Sequence, residues 1–292
     1  MAKLKVLLGN YPHTAALRQG FVRSPQLELE FVEAKPLNTA FRRMVRDLEF
    51  DISELSLVTF LQAKEAGKPL VLLPAVTMSR FQHPYLIYNA EKGGMRPEQL
   101  SGRRLSCRLY TANTAVWLRF ILAEDYGVDL NSLRWLVFQE PHVAEFHDPP
   151  NVEKAPGGSD LLGLLFSGAA DAVIVDPVPG DPRVKPVIPD PAAAAKSWAE
   201  RYNAIQINHM VVAQSSLTRD NPDALREFYR LLIESRDLAC AANKDLATPP
   251  MAFDAQNRRN IELAIECTYR QRLIRRRFEP EELFDEVTKS LG

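Results

Sequence analysis

Strand-like and helix-like segments alternate along most of this chain of 292 residues. In the first third, apolar strand candidates at 5–8, 27–32 and 70–74 are separated by stretches such as 37–48 and 55–66, where apolar residues recur at helical spacing. The stretch 70–74 is apolar throughout, which is typical of a strand covered on both faces. This order predicts an α/β fold with mainly parallel sheets and helices on both faces.

A second set of alternating segments begins near residue 84, and prolines crowd the region between about 177 and 197. Such a density of proline indicates a connecting region and not a core element. We therefore expect two lobes hinged around a cleft, with residues 1–84 and 203–292 in lobe 1 and residues 85–202 in lobe 2.

Charge and cysteine usage exclude several classes of protein. The formal net charge of −1 leaves no excess of positive charge for general nucleic-acid binding. No apolar run reaches the roughly 18–20 residues of a membrane-spanning helix, and the first residues lack the apolar core of a signal peptide. The three cysteines, Cys107, Cys240 and Cys267, are too few and too scattered for a disulfide framework. These features predict a cytoplasmic protein.

Five short segments resemble the motifs of one enzyme family, in the same order along the chain. Residues 50–57 read Phe-Asp-Ile-Ser-Glu-Leu-Ser-Leu, which resembles the F-D-x-x-E-L-S signature of the 4,5-dihydroxyphthalate decarboxylases. Residues 79–83 are similar to the Ser-Arg…His segment of that family, and 114–119 with 123–128 are similar to its T-A-A-V-W-x-R…A-D-E-Y-G-V pattern. Residues 207–212 resemble its P-I-M-H-x-V-V strand.

The resemblance extends over residues 3–245 and has two departures. The Ser-Arg segment is one residue shorter here, and Gln206 and Asn208 replace the usual proline and methionine before the histidine. The resemblance implies a two-lobed type 2 periplasmic-binding-protein-like fold, also called a Venus flytrap. It implies non-oxidative decarboxylation of a hydroxylated aromatic carboxylic acid, held in the cleft between the lobes, by a carboxy-lyase that needs no organic cofactor.

The same architecture also serves transporter solute-binding proteins and enzymes that make menaquinone or pyrimidine precursors, so fold alone does not decide function. The alternative is therefore a non-catalytic solute-binding protein for a small aromatic or aliphatic carboxylate. In either case we expect a small anionic partner, no nucleic acid and no membrane. The basic helical C-terminus is suited to packing in a homo-oligomer. A divalent metal is compatible with the chemistry, although the sequence offers no clear set of ligands for one.

In such a fold the ligand contacts loops beyond the carboxyl ends of the strands. Asn10, Tyr11 and His13 follow the first strand and offer donors and an aromatic wall, or else form a polar surface turn. Glu54 and Ser56 lie at a strand-to-helix junction, where free amides attract anions. A helix-capping role for Glu54 is the alternative.

Further candidates follow the crossing between lobes. Arg80 offers a planar fork of donors for a carboxylate, or a surface ion pair, while His83 is either a proton shuttle or a structural histidine. Asp176 follows a buried strand, or belongs to a turn. A loop before the strongest helix of lobe 2 is suited to cradle an anion, with an N-cap by Asn113 or Thr114 as the compatible alternative; its residues are Tyr110, Thr111, Asn113 and Thr114.

The resemblance assigns chemical roles to some of these residues. A ring carbon must receive a proton, and His209 or His83 would supply it. Arg80, with the amides at residues 113–114, would hold the carboxylate that stays on the ring. Glu54 is predicted to be catalytic, like the two histidines, and it would orient the substrate together with Ser56.

Overall fold

The computed structural model describes residues 2–291 and divides into two compact units. Unit 1 contains the chain up to Ser79, Ile207–Ile265 and the segment from Ile274 onward, and unit 2 contains Arg80–Gln206 and Glu266–Leu273. The chain leaves unit 1 after Ser79 and returns to it at Ile207, and these two residues pair with each other. The crossings expected from the sequence were at 84/85 and 202/203, so unit 2 begins a few residues earlier and ends a few residues later than expected. The segment 266–273 was expected in lobe 1 but packs with unit 2.

The sheet of unit 1 has the strand order β2-β1-β3-β11-β4. Its strands are β1 (Ala2–Leu7), β2 (Leu27–Phe31), β3 (Ile52–Ser56), β4 (Leu70–Ser79) and β11 (Ile207–Gln214). Strand β1 is parallel to β2 and β3, whereas β11 is antiparallel to both of its neighbours. Strand β11 therefore brings residues from late in the chain between two strands formed early in it.

The helices of unit 1 cover this sheet with apolar side chains. Helix α8 begins at Pro222 because Asn221 accepts a hydrogen bond from the Ala224 amide, as the sequence predicts. Its buried Phe228 belongs to the same core as Val6 and Val211 of the sheet. The helices that lie wholly or mainly in this unit are α1 (Pro12–Arg18), α2 (Phe41–Asp47), α3 (Leu57–Glu65), α7 (Ser215–Asp220), α8 (Pro222–Ala242), α9 (Ala255–Arg270) and α10 (Glu286–Lys289).

The sheet of unit 2 has the strand order β10-β5-β9-β6-β7-β8. The run from β9 to β8 is parallel, and β5 and β10 add antiparallel strands at one edge. The elements of this unit are β5 (Leu86–Asn89), β6 (Arg104–Cys107), α4 (Asn113–Tyr126), β7 (Arg134–Val137), β8 (Val152–Lys154), α5 (Leu161–Ser167), β9 (Ala172–Ile174), β10 (Val184–Pro186) and α6 (Pro191–Tyr202). The predicted α/β class with mainly parallel sheets is confirmed, although both sheets are mixed.

The proline-rich region predicted as a connection contains two regular elements, β10 and the first half of α6. Pro191 is compatible with helix because it occupies the first turn, where its missing N–H is not needed. Asp190 caps this helix by accepting a hydrogen bond from the Ala193 amide. Within residues 2–291, the structure has no helix with the length and apolar character that crossing a bilayer requires.

Candidate functional site

The carboxylate of Glu54 is the centre of a hydrogen-bonded group in unit 1. Glu54 lies in β3 and is entirely buried. Its Oε2 accepts a hydrogen bond from the Gly9 amide at 2.9 Å. Its Oε1 accepts one from the Tyr11 hydroxyl at 2.7 Å and lies 2.7 Å from Nδ1 of His209. A buried carboxylate without partners would be strongly destabilising, so these three donors explain how Glu54 is tolerated here.

The same contacts decide the charge of Glu54. Burial acts to raise the pKa of this carboxyl, but the hydrogen bond and charge of His209, with the bonds from Tyr11 and Gly9, outweigh it and lower the pKa. Glu54 is therefore ionised at neutral pH. Nδ1 of His209 carries a proton that it donates to this carboxylate, which leaves Nε2 as the ring nitrogen that can exchange protons.

Strand pairing explains why Glu54 and His209 meet. In the β3–β11 ladder, His209 lies opposite Ser56 and Val211 lies opposite Glu54. His209 and Glu54 are thus diagonal neighbours on one face, a separation that long side chains can span. The β11–β4 register shifts on both sides of His209, and such irregularities redirect side chains next to functional sites. The ring of Phe41 packs edge-on against His209, with 5.1 Å between centroids.

A short loop between β1 and α1 places Tyr11. Thr14 Oγ1 accepts a hydrogen bond from the Tyr11 amide at 2.9 Å and donates one to the Gly9 carbonyl at 2.6 Å. The Tyr11 ring folds back over Gly9, where an added Cβ would lie 2.3 Å from a ring carbon. Residue 9 must therefore be glycine if Tyr11 is to reach Glu54.

We expect Gly9→Ala to displace the Tyr11 ring and remove its hydrogen bond to Glu54. Loss of a hydrogen bond to a buried charged group should lower the free energy of unfolding by about 1.5–3 kcal/mol. Urea denaturation of Gly9→Ala, Tyr11→Phe and the double variant measures this loss. Because both changes remove the same bond, the double variant should cost less than the sum of the two.

Gly94→Ala is the matched control for this change, since a Cβ at Gly94 meets nothing within 4 Å. It should alter the free energy of unfolding by no more than about 0.5 kcal/mol. Equal effects of the two alanine variants would contradict the role of Gly9.

His13 is a second imidazole beside Glu54. Its ring is stacked on Tyr11, with 5.3 Å between centroids and 9° between planes, and the residue is 5% exposed. Burial lowers the pKa of His13, and the charge of Glu54 and a hydrogen bond to the Thr77 backbone oppose this only in part. Nε2 of His13 is buried and has no hydrogen-bond partner in the described chain. His13 is therefore a neutral imidazole at neutral pH.

The other two candidates of unit 1 occupy the edges of this group. Ser56 is the N-cap of α3, with Oγ 3.5 Å from the Thr59 amide. Asn10 is exposed and lines a cavity of about 220 Å³ together with Gly9 and Lys35. Unit 1 thus brings Tyr11, His13, Glu54 and His209 together, and places Asn10 and Ser56 beside them.

Arg80 and Asp176, both predicted to bind substrate, lie together in unit 2 but are paired with each other. The Arg80 guanidinium forms an ion pair with Asp176 and stacks over the Tyr85 ring at 4.5 Å. Both side chains are about one third exposed. This is the arrangement of the salt-bridge alternative, although Nε of Arg80 has no hydrogen-bond partner among the described residues.

His83 lies in an aromatic cluster of unit 2. It is entirely buried, its ring lies 6.4 Å from that of Trp198 and 6.3 Å from that of Phe81, and neither ring nitrogen has a partner in the part of the chain described. Burial, and secondarily the charge of Arg201, lower the pKa of His83 to about 4. These surroundings are those of a structural histidine.

We expect His83→Phe to weaken the acid sensitivity of folding. The folded-state pKa of His83, about 4, is below the ordinary value of 6.5, so the unfolded chain binds the proton first as pH falls. The contribution of neutral His83 to stability is thus present above pH 6.5 and is lost between 6.5 and 4. Urea denaturation at several pH values should show a smaller loss for His83→Phe than for the wild type.

Exposed His147 provides the control. His147→Gln should leave the pH dependence of unfolding as it is in the wild type. A His83→Phe protein with an undiminished loss of stability between pH 6.5 and 4 would contradict the buried, neutral state of His83.

The predicted anion cradle surrounds the start of α4. Tyr110, Thr111 and Asn113 are buried, and Thr114 is partly exposed. Ala112 is the N-cap residue and makes no side-chain bond there, so the suggested capping by Asn113 or Thr114 is wrong. The hydroxyl of Thr111 is buried without a hydrogen-bond partner among residues 2–291.

Sequence reasoning missed Thr14, Phe41 and Thr77, which support the Glu54 group. Thr14 lies three residues after Tyr11, and its hydroxyl accepts the hydrogen bond of the Tyr11 amide. Phe41 and Thr77 are brought in by tertiary packing. Among residues 2–291 there is no group of three or more histidine, cysteine, aspartate or glutamate side chains placed to share a metal ion.

No family model matches this chain. Two curated relatives are both named 4,5-dihydroxyphthalate decarboxylase. The protein from Comamonas testosteroni is 29% identical over 239 residues, which are 75% of this chain and 70% of the relative. The protein from Pseudomonas putida is 29% identical over 229 residues, which are 74% of this chain and 87% of the relative.

Solved structures show the fold. The aliphatic sulphonate binding protein SsuA from Escherichia coli has a TM-score of 0.63 at 12% identity, over 97% of both chains. The alkanesulfonate-binding protein SsuA from Xanthomonas axonopodis pv. citri has 0.60 at 14%, over 98% of both. The desulfurization enzyme DSZB has 0.60 at 13%, over 100% of this chain and 99% of its own. The predicted resemblance to the 4,5-dihydroxyphthalate decarboxylases, on a type 2 periplasmic-binding-protein-like fold, is thereby confirmed.

Proposed function

We propose that this protein catalyses the non-oxidative decarboxylation of a hydroxylated aromatic acid of the 4,5-dihydroxyphthalate type. One observation carries the proposal: a buried, ionised Glu54 holds Nδ1 of His209 and leaves Nε2 of that ring for proton exchange. The names of the two relatives supply the substrate class. His209 is preferred over His83 as the acid because His83 is enclosed among aromatic rings.

The chemistry explains why an acid is needed. Direct loss of CO2 from an aromatic ring would leave an electron pair on carbon, which is strongly disfavoured. Protonation of that carbon first, with a ring hydroxyl in the para position sharing the charge, gives an intermediate from which CO2 leaves easily. His209 would deliver this proton from Nε2, and Glu54 would hold the ring in the required tautomer and orientation.

Other residues would bind and orient the substrate. Tyr11 and Ser56 present hydroxyl groups on the same side of the unit 1 sheet as Glu54. In unit 2, Arg80 is the residue best suited to bind a carboxylate, since its planar fork has an unpartnered Nε. These residue types supply proton transfer and anion binding, so we propose a reaction without an organic cofactor; extensive dialysis should leave activity unchanged.

We also propose that the protein works in a reducing compartment such as the cytoplasm. All three cysteines are free thiols, and burial raises the pKa of Cys107 to about 12 and that of Cys267 as well. Free thiols are typical of reducing compartments. Fractionation of the native host would test this, and recovery of the protein from the periplasm would contradict it.

The direct test is to incubate the purified protein with 4,5-dihydroxyphthalate and to follow CO2 and 3,4-dihydroxybenzoate by chromatography. Release of both is the expected result. Tight binding of the acid without CO2 release, from it and from related hydroxybenzoates, would instead support a solute-binding protein. That second candidate is favoured by the sulfonate-binding proteins that share the fold.

A further inference from the structure

Nε2 of His13 is a buried polar atom for which the described chain offers no partner. Most buried polar atoms are hydrogen-bonded, so an exception requires a physical reason. His13 is not remote from the proposed chemistry: its ring lies flat against Tyr11, which donates to the same Glu54 oxygen that His209 contacts. Two imidazoles thus flank one carboxylate.

The hydrogen bond with the Thr77 backbone indicates which His13 nitrogen bears the proton. This bond raises the pKa of His13, as expected when the ring donates to a carbonyl. Because Nε2 has no partner, we assign the proton to Nδ1. Neutral His13 then presents an unshared electron pair at Nε2, which can accept a proton. Within residues 2–291, the charged group that acts on the His13 ring is Glu54, and Thr77 of β4 contributes its backbone. On the side of α8, the Ser235 hydroxyl accepts a hydrogen bond from the Leu17 amide of α1.

We infer that His13 is a second catalytic residue, which accepts the proton of the ring hydroxyl para to the departing carboxylate while His209 protonates the ring carbon. This inference rests on the proposed decarboxylation and completes it. The hydroxyl and the carbon that gains a proton lie at opposite ends of the ring, so one imidazole cannot serve both. Tyr11 covers the His13 ring and is itself partly exposed. A tilt of the Tyr11 ring that keeps its hydroxyl beside Glu54 opens Nε2 to the substrate.

The step balances without an oxidant or reductant. The hydroxyl proton moves to Nε2 of His13, and the oxygen electrons form a carbonyl as the ring carbon takes a proton from Nε2 of His209. The bond to the carboxylate then breaks, CO2 leaves, and its electron pair restores the aromatic ring. The carbonyl oxygen regains the proton from His13. His209 has then lost one proton and takes up another from solvent.

The test is the pH profile of kcat/KM for His13→Gln with 4,5-dihydroxyphthalate. Glutamine can hydrogen-bond to Thr77 but cannot take a proton, so activity at pH 7 should fall by about 10²–10⁴-fold. The wild type should lose activity in acid as His13 becomes protonated. The variant should lack this acid limb, which is the decrease of kcat/KM at low pH. Its kcat/KM should instead rise with pH, because without a base the substrate hydroxyl must already be ionised.

Two comparisons separate catalysis from support of the fold. A ring-fluorinated analogue with a more acidic hydroxyl should recover much of the activity lost in His13→Gln, which a merely structural role would not predict. His147→Gln, at an exposed histidine, should keep the wild-type profile. A His13→Gln enzyme that retains the acid limb, or loses activity equally with both substrates, would overturn the inference.

Failure of the proposed function would be recognised separately, since the wild type itself would then release no CO2. In that event, calorimetric binding still tests the contact with the hydroxyl. His13→Gln should weaken binding of 4,5-dihydroxyphthalate by about tenfold, equivalent to about 1.4 kcal/mol, and leave binding of phthalate, which lacks the hydroxyls, unchanged. Equal weakening of both acids would contradict a role for His13 at the hydroxyl.

Discussion

His209→Gln is expected to lower kcat for 4,5-dihydroxyphthalate by about 10²–10⁴-fold, the usual contribution of a general acid. Glutamine can still donate to the Glu54 carboxylate but has no nitrogen that exchanges protons near neutral pH. KM should change little, because the proposed contact at Nε2 forms with the reacting carbon and not with the bound carboxylate. Steady-state kinetics on the purified variant measures both constants.

A second measurement isolates proton transfer to carbon. In D2O the wild type should exchange a ring hydrogen of 3,4-dihydroxybenzoate, the product, for deuterium. His209 adds a deuteron to the ring carbon and then removes the hydrogen from it, and NMR would follow this exchange. His209→Gln should lose this exchange, whereas His147→Gln, with an exposed histidine changed in the same way, should keep it. Wild-type exchange in His209→Gln would rule out this histidine as the acid.

The sequence predicted the members of the candidate site better than their arrangement. Glu54 and His209 were each recognised from a motif, but their hydrogen bond joins residues 155 positions apart. It depends on the insertion of β11 beside β3 and on the register irregularity at His209. Pairing of distant strands is a tertiary event, and local periodicity in the sequence carries no information about it.

The α/β class was predictable because it rests on local patterns, such as the helix that follows Asn221 and Pro222. The predictions that the structure corrects are those in which tertiary packing overrides local composition. Prolines near residue 190 suggested a connection, yet Pro191 begins a helix. The segment Glu266–Leu273 packs with unit 2, although nothing in its composition distinguishes it from the helix before it. Nothing in the sequence near His83 predicts that its ring lies beside that of Trp198, more than 100 residues later.

Glu54→Gln should lower kcat by about 10²–10⁴-fold although glutamine has the same shape. Both oxygens of Glu54 accept hydrogen bonds, from Gly9, Tyr11 and His209, and the amide nitrogen of glutamine cannot accept one. The substitution also removes the negative charge that stabilises protonated His209. Because Glu54 acts through His209, the double variant Glu54→Gln/His209→Gln should be about as slow as His209→Gln alone. Kinetics of the two single variants and the double variant test this directly.

Glu49→Gln is the matched control for this change. Glu49 is also an ionised carboxylate of unit 1, with its pKa held at about 2 by hydrogen bonds from Arg43 and Lys5. It is partly exposed, however, and its ion-pair partners are Lys5 and Arg43 instead of a histidine. Its loss should leave kcat and KM at wild-type values. If the effects of Glu54→Gln and His209→Gln were instead to multiply in the double variant, the two residues would act independently. Their hydrogen bond would then have no part in the reaction, and the acid would have to be sought elsewhere in the unit 1 group.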